Sequence, residues 1–80
     1  MMDKDEIFKL IMSISTDVLP ELEGQDILIT DSLQDWGANS IDRSEIVMMT
    51  LESLSLDIPM VELATTRNIE ELVDILHARL

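Results

Sequence analysis

The segment DWGANSID at residues 35–42 presents a serine hydroxyl at the point where a helix should begin. Gly37 permits the backbone angles of a turn. Asn39 or Ser40 can then cap the helix, because either side chain accepts a hydrogen bond from an unpaired backbone N–H. No Gly or Pro interrupts residues 41–54. Since the amino end of a helix is electropositive, Ser40 lies at a place that favours a phosphate group.

The sequence offers little support for catalysis by the chain itself. The single histidine, His77, falls in the last turn of a predicted helix, far in sequence from Ser40 and without an obvious orienting partner. A Ser-His-Asp arrangement is therefore not supported. The chain has no cysteine, which excludes a thiolate nucleophile and a cysteine-ligated zinc. We expect a protein that is not an enzyme.

Residues 31–42 have the length of a calcium-binding loop and are rich in acids. Leu33 and Trp36 occupy the third and sixth positions, where the calcium pattern requires an oxygen ligand and a glycine. The last position is Asp42 instead of the longer glutamate. We therefore predict no dedicated metal site.

The charge of the chain narrows the choice of partners. Seventeen acidic residues against five basic ones give a net charge of −12 at pH 7, which repels nucleic acid and anionic membranes and suits partners with basic surfaces. No apolar run reaches membrane-spanning length and no signal-peptide pattern opens the chain, so a cytoplasmic protein is expected. A hydrophobic content of 46% with helical periodicity predicts a folded domain, not a disordered acidic chain.

Two long amphipathic helices should enclose the core. The first is predicted at residues 3–19 and ends before Pro20, because the residue before a proline avoids helical angles. The last is predicted at residues 68–79, with Asn68 and Glu71 as a capping-box-like pair. Their apolar residues recur at helical spacing and should be buried. These residues are Ile7, Leu10, Ile11, Ile14 and Val18, then Ile69, Leu72, Val73, Leu76 and Leu80.

A connection of about twenty residues, 20–39, precedes the serine. Such a length is uncommon in a compact domain unless the loop is functional or packed. Ile27, Leu28 and Ile29 should pin it to the helices, and Leu33 and Trp36 should anchor the part that presents the serine. Trp36 could instead face a partner.

The helix predicted at residues 40–54 carries two sets of apolar residues. Ile46, Val47, Leu51 and Leu54 form the expected core stripe, and Met49 should fill a gap in the core. Ile41, Ser44 and Met48 lie on a different face at i, i+3 and i+7, where exposed apolar side chains can contact a partner. Met48 could alternatively fill a core gap. With a short helix at residues 60–64, the predicted fold class is an all-α bundle of three major helices and one short helix.

The motif Asp35-x-Gly37-x-Asn39-Ser40-Ile41-Asp42 resembles the phosphopantetheine attachment motif of acyl carrier proteins. The resemblance extends in length, acidity and helix order over the whole chain. It implies one acyl carrier domain over residues 1–80, with an acyl-carrier-protein-like four-helix bundle and 4′-phosphopantetheine joined to Ser40 by a phosphodiester. The thiol of that cofactor would hold an acyl group as a thioester, and partner enzymes would supply the chemistry. Asn39 departs from the aspartate that many members have, but it keeps a capping side chain.

Residues 37–52 more specifically resemble the stand-alone donor carriers of β-branching cassettes in bacterial polyketide synthases. The resemblance implies four partner enzymes and a monomeric carrier. The enzymes are a phosphopantetheinyl transferase that attaches the cofactor, an acyltransferase, a ketosynthase-like enzyme that decarboxylates malonyl to acetyl, and an HMG-CoA-synthase-like enzyme that accepts the acetyl group. The second, acceptor carriers of such pathways often have a tryptophan six residues after the modified serine. This chain has Ile46 at that position, which favours a donor over an acceptor.

The expected partner-binding residues are those of the exposed face and their neighbours, namely Ile41, Asp42, Arg43, Ser44, Glu45 and Met48. Arg43 departs from an otherwise acidic face and could help to select partners. Two alternative functions remain open. One is a general discrete carrier of fatty-acid, polyketide or aminoacyl pathways. The other is an acidic helical interaction module in which Ser40 is only a helix cap.

Overall fold

The computed structural model describes residues 2–80, and its helices follow the predicted order. The four α-helices are α1 (Lys4–Val18), α2 (Ser40–Leu54), α3 (Met60–Leu63) and α4 (Ile69–Ala78). No strand forms within residues 2–80. The prediction of an all-α bundle with three major helices and one short helix is therefore confirmed.

The boundaries of α1 follow from the residues at its ends. The Glu6 N–H donates to Asp3 Oδ1 at 2.8 Å and the Asp3 N–H donates to Glu6 Oε1 at 3.1 Å, which forms a capping box. Leu19 leaves the helical region, with φ −126° and ψ 85°, as expected of a residue before proline. Pro20 then opens a 3-10 turn, Pro20–Leu22, that was not predicted and that buries Leu22.

The core lies between α1, α4 and the part of α2 from Ile46 onward. Its buried side chains on these helices are Ile7, Ile11, Ile14, Ile46, Leu51, Ile69, Leu72, Val73 and Leu76. Each such side chain contributes about 1.5–3 kcal/mol relative to its exposed state. Partly buried side chains pack around them, including Leu10, Val18, Val47, Met49 and Leu54. The prediction for Leu80 is wrong, because it lies beyond the end of α4 and is 43% exposed.

The connection between α1 and α2 is fastened to the amino end of α4. The Ile69 N–H donates to the carbonyl of Asp31 at 3.0 Å, and the Glu70 N–H donates to the carbonyl of Ile29 at 2.8 Å. These bonds satisfy two of the N–H groups that a helix leaves unpaired at its start. Leu33 is buried as predicted, whereas Leu28 is 56% exposed and does not pin the loop.

Trp36 is held by a hydrogen bond and not by burial in the core. Its indole Nε1 donates to Asp31 Oδ2 at 3.0 Å, and the Leu28 N–H donates to the same oxygen at 2.9 Å. The Leu28 N–H first, and then the Trp36 indole, hold the pKa of Asp31 below its ordinary value of 3.8. The expected anchoring of Trp36 is thus made through its polar end, while its ring remains half-buried.

Only one of the two hydrogen bonds of the predicted capping box forms at the described start of α4. The Glu71 N–H donates to Asn68 Oδ1 at 2.9 Å, so Asn68 caps the helix as expected. The Glu71 carboxylate instead accepts from the backbone N–H and the Nε of Arg67, at 3.1 and 3.3 Å.

Within residues 2–80, no helix combines the length and the apolar character that crossing a membrane requires.

Candidate functional site

Asn39, and not Ser40, caps α2. The Asp42 N–H donates to Asn39 Oδ1 at 2.8 Å and the Asn39 N–H donates to Asp42 Oδ2 at 3.1 Å, so the two residues form a capping box. Ser40 is the first residue of the helix, and its side chain is exposed. Its hydroxyl forms no hydrogen bond with any part of the chain that the structure describes, residues 2–80. The interpretation of Ser40 as a helix cap is therefore wrong, and its hydroxyl is available to react.

A tight turn fixes the position of this serine. The Gly37 N–H donates to the carbonyl of Gln34 at 3.0 Å, and the Ala38 N–H donates to the carbonyl of Leu33 at 3.0 Å. Gly37 has a φ of 98°, which lies in the region that favours glycine. Leu33 and Ala38 are 7% and 2% exposed. The turn is therefore anchored in the core on both sides of Gly37 and directs the chain into α2.

Arg43 connects the turn to the helix. Its Nη1 donates to the carbonyl of Ala38 at 2.7 Å, so the bond joins the first turn of α2 to the residue two positions before Ser40. Together with the Asn39 cap, this bond fixes the backbone on both sides of Ser40. A serine held in this way presents its hydroxyl to an incoming enzyme without a loop that must first be ordered.

The amino end of α2 suits a phosphate on Ser40. Asn39 accepts the N–H groups of Asp42 and Arg43 through its side chain and its carbonyl. No bond from the N–H of Ser40 or Ile41 forms within residues 2–80. These two donors and the positive end of the helix dipole favour an anion beside the serine. The exposed hydroxyl and the free donors thus fit the attachment of 4′-phosphopantetheine.

A groove of about 370 Å³ opens beside the serine, and we call it the Ser40 groove. Its wall consists of residues from the connection before α2, from α2, and from α3, α4 and the loop that joins them. Several of the apolar ones are buried, namely Leu33, Leu63, Ile69 and Leu72. Ser40, Arg43 and Arg67 also line it. Sequence reasoning did not find this groove, because its residues come from three separate stretches of the chain, 32–34, 40–47 and 60–72, and share no local pattern.

The predicted docking residues divide into two groups. Ile41 and Met48 are 74% and 54% exposed, and Ser44 and Glu45 are exposed between them. Asp42 and Arg43 are half-buried and bonded within the chain, Asp42 to the Asn39 N–H and Arg43 to the carbonyl of Ala38. We call Ile41, Ser44, Glu45 and Met48 the outer face of α2. Exposure of Met48 and partial burial of Met49 agree with the separate roles expected of these two methionines.

His77 lies in the last turn of α4, on a different helix from Ser40. Within residues 2–80, no three His, Cys, Asp or Glu side chains converge in a way that could hold a metal ion. The acids at residues 31–42 are instead engaged locally, Asp31 with Trp36 and Asp42 with Asn39. What this region offers chemically is an exposed hydroxyl beside a groove.

Comparisons with known proteins agree with this geometry. Residues 9–76 match the family described as the phosphopantetheine attachment site. The polyketide biosynthesis acyl-carrier-protein AcpK of Bacillus subtilis (strain 168) is 46% identical over 76 residues, which cover 95% of this chain and 93% of AcpK.

A solved structure is similarly close. It is the crystal structure of the curacin biosynthetic pathway HMG synthase in complex with the acetyl donor acyl carrier protein. The matched chain is 44% identical, with a TM-score of 0.91, and the match covers 96% of this chain and 99% of that one. Proteins of this kind hold 4′-phosphopantetheine and are carriers, not catalysts. The exposed serine at the start of α2, the fold and both relatives lead to one conclusion: the chain belongs to the acyl carrier protein family.

Proposed function

We propose that Ser40 carries the 4′-phosphopantetheine arm and that the chain donates acetyl to an HMG-CoA-synthase-like enzyme in polyketide β-branching. The observation that carries the proposal is the free, exposed hydroxyl of Ser40 on a backbone fixed by the Asn39 cap and the Arg43 bond. Likeness to a donor carrier that was crystallised with an HMG synthase supports the choice of partner.

The proposed cycle uses four enzyme partners. A phosphopantetheinyl transferase attaches the arm, an acyltransferase loads malonyl, and a ketosynthase-like enzyme decarboxylates malonyl to acetyl. The HMG-CoA-synthase-like enzyme then receives the acetyl group. The carrier works as a cytoplasmic monomer, and its arm raises the local concentration of the acyl group at each active site.

The outer face of α2 is the proposed docking surface. Ile41 and Met48 supply exposed apolar area next to Ser40, and exposed apolar side chains of this kind are suited to contact with a partner. Glu45 adds charge at the rim, and rim charges act mainly on the rate of encounter with a basic surface. Asp42 contributes less to docking than Glu45, because its carboxylate also holds the Asn39 cap.

The first experiment tests attachment. The chain is incubated with a phosphopantetheinyl transferase and coenzyme A, and its intact mass is measured. We expect one phosphopantetheine on the unmutated chain and none on Ser40→Ala. Ser44→Ala is the matched control, because Ser44 is exposed on the same helix four residues on. Modification of the Ser40→Ala variant would move the site and contradict the proposal.

The second experiment tests docking through the rate of acetyl transfer to the synthase. Glu45→Lys should slow transfer most at low salt, because salt screens exposed charges. Glu21→Lys makes the same charge reversal at an exposed site on the 3-10 turn and should transfer at the unmutated rate. If both reversals behave alike, the outer face of α2 is not where the synthase binds.

Met48→Ala should weaken transfer at any salt, because apolar contacts act mainly on the lifetime of a complex. Leu28→Ala is the matched control, since Leu28 is 56% exposed and Met48 is 54% exposed, but Leu28 lies on the connection. Each variant is first shown to fold and to accept phosphopantetheine. A general carrier would instead load and transfer acyl groups to other synthases as fast as to the HMG-CoA-synthase-like enzyme.

A further inference from the structure

Arg43 is the one Lys or Arg side chain without an ion pair among residues 2–80. The other basic side chains are paired with carboxylates, as Lys4–Asp74, Lys9–Asp5, Arg67–Glu71 and Arg79–Glu62. The chain has a net charge of −12 and offers seventeen acidic side chains, so an unpaired arginine is unusual in it. The charge of Arg43 is available to an anion that the chain itself does not supply.

Arg43 is half-buried, and a hydrogen bond orients its guanidinium. Its Nη1 donates to the carbonyl of Ala38 at 2.7 Å, which fixes one corner of the group. A guanidinium has five N–H donors, so most of them remain available. Donors held in a planar fork match the two oxygens of a carboxylate, and a fixed group loses less freedom when it binds.

Among residues 2–80, no acidic side chain lines the Ser40 groove. Its wall includes both Arg43 and Arg67, and none of the residues that line it is Asp or Glu. Arg67 is already paired with Glu71, which leaves Arg43 as the free cation. The volume of about 370 Å³ lies at the lower end of ligand pockets. The groove therefore suits a small ligand with an apolar part and one negative charge.

We infer that the Ser40 groove binds a carboxylate-terminated acyl group carried on the chain's own arm, with Arg43 as the residue that recognises the carboxylate. The inference rests on the proposed function, in which Ser40 carries the arm and the cargo arrives as malonyl. Ser40 lines the same groove, so an arm that folds back from it leads the cargo to Arg43. The buried leucines of the wall contact the apolar part of the arm.

This recognition distinguishes malonyl from acetyl. Malonyl brings a carboxylate that Arg43 binds, and that is otherwise repelled by the acidic surface of the chain. Acetyl has no such group, so only apolar contacts remain to hold it in the groove. The carrier thus holds malonyl in the groove before decarboxylation and exposes acetyl to solvent and partner enzymes afterwards.

The test follows the Arg43 Nε–H signal by NMR in the full-length carrier. The chain is compared in its unmodified, phosphopantetheine-bound, acetyl, propionyl and malonyl forms. Propionyl matches the three carbons of malonyl without the charge. We expect the signal to move and its hydrogen exchange to slow in the malonyl form only. Arg43→Gln should abolish every malonyl-specific shift along the groove, and Lys9→Gln, which removes a charge from α1, should leave these shifts unchanged.

Two results overturn the inference. In the first, the Arg43 signal moves when phosphopantetheine is attached and does not move again when malonyl is loaded. Arg43 then binds the phosphodiester and not the malonyl carboxylate. The malonyl and propionyl forms can also give the same spectrum. Failure of the proposed function is separate, since it appears as an unmodified Ser40. In that case free malonyl-pantetheine and propionyl-pantetheine are titrated onto the unmodified chain, and equal shifts from the two ligands overturn the inference.

Discussion

Helices α1 and α4 concentrate their apolar residues on one face, whereas α2 distributes them around its circumference. Ile11 and Leu76 are fully buried on the first two helices. On α2, Ile46 is fully buried, but Ile41 and Met48 are more than half exposed. The difference indicates that the apolar residues of α1 and α4 face the core, where Ile69 and Leu72 of α4 also back the Ser40 groove, while α2 serves the core, the groove and an outer face.

The three surfaces of α2 follow from its helical period. Ser40, Arg43 and Val47 line the groove, and Ile41 and Met48 occupy the outer face. Ser44 lies at the border between the two surfaces, because it is exposed and also lines the groove. A helix with this division has less apolar burial per residue, so its stability depends more on its caps and on packing by α1.

The largest expected difference is in stability. Ile11→Ala should lower the free energy of unfolding by about 2–5 kcal/mol, because it removes a fully buried side chain. Ile41→Ala should change it by less than about 0.5 kcal/mol, because Ile41 is 74% exposed. Urea unfolding followed by circular dichroism measures both. Equal losses would remove the distinction between a core helix and a helix with an outer face.

A smaller effect separates the cap from the modified residue. Asn39→Ala should destabilise the fold by about 1 kcal/mol, since it deletes the side chain that accepts the Asp42 N–H. Ser40→Ala should cost less than about 0.5 kcal/mol, because the Ser40 hydroxyl has no partner within the described chain. The same urea titration compares them, and a larger loss at Ser40 would mean that the serine has a structural role.

The smallest effect concerns the connection that presents α2. The folded-state pKa of Asp31 lies below its ordinary value of 3.8, so its contribution to stability is present above pH 3.8 and is lost as pH falls through the lower folded pKa. An NMR titration should show the Trp36 indole N–H shifting in this acidic range, because it donates to Asp31. In Asp31→Asn the transition should disappear. If the indole N–H signal of that variant still shifts as in the unmutated chain, a group other than Asp31 causes the shift.

Much of the fold could be predicted from the sequence because its signals are local. The stripe at Ile7, Ile11 and Ile14 predicted a buried face, and Pro20 predicted the end of α1. Residues 40–54 were predicted with the boundaries that α2 has. Helical period, caps and prolines act within a few residues, so a single sequence records them directly.

The errors arose where two partners competed or where distant segments met. Glu71 could bond the Asn68 N–H or the two donors of Arg67, and the pattern alone did not rank these choices. Leu80 continues the apolar period of α4, but the helix ends before it. The Ser40 groove depends on how α3 and the connection meet α4, which no local pattern encodes.

The two hydrogen bonds from α4 to the connection determine where the chain can change in length. The carbonyls of Ile29 and Asp31 accept from consecutive residues, Glu70 and Ile69, so an extra residue between them would break the register of both bonds. The turn at Gly24 is exposed on both sides and takes no part in this pairing. Insertions near Gly24 should therefore be tolerated, whereas a single insertion after Thr30 should detach the connection and displace the serine at the start of α2.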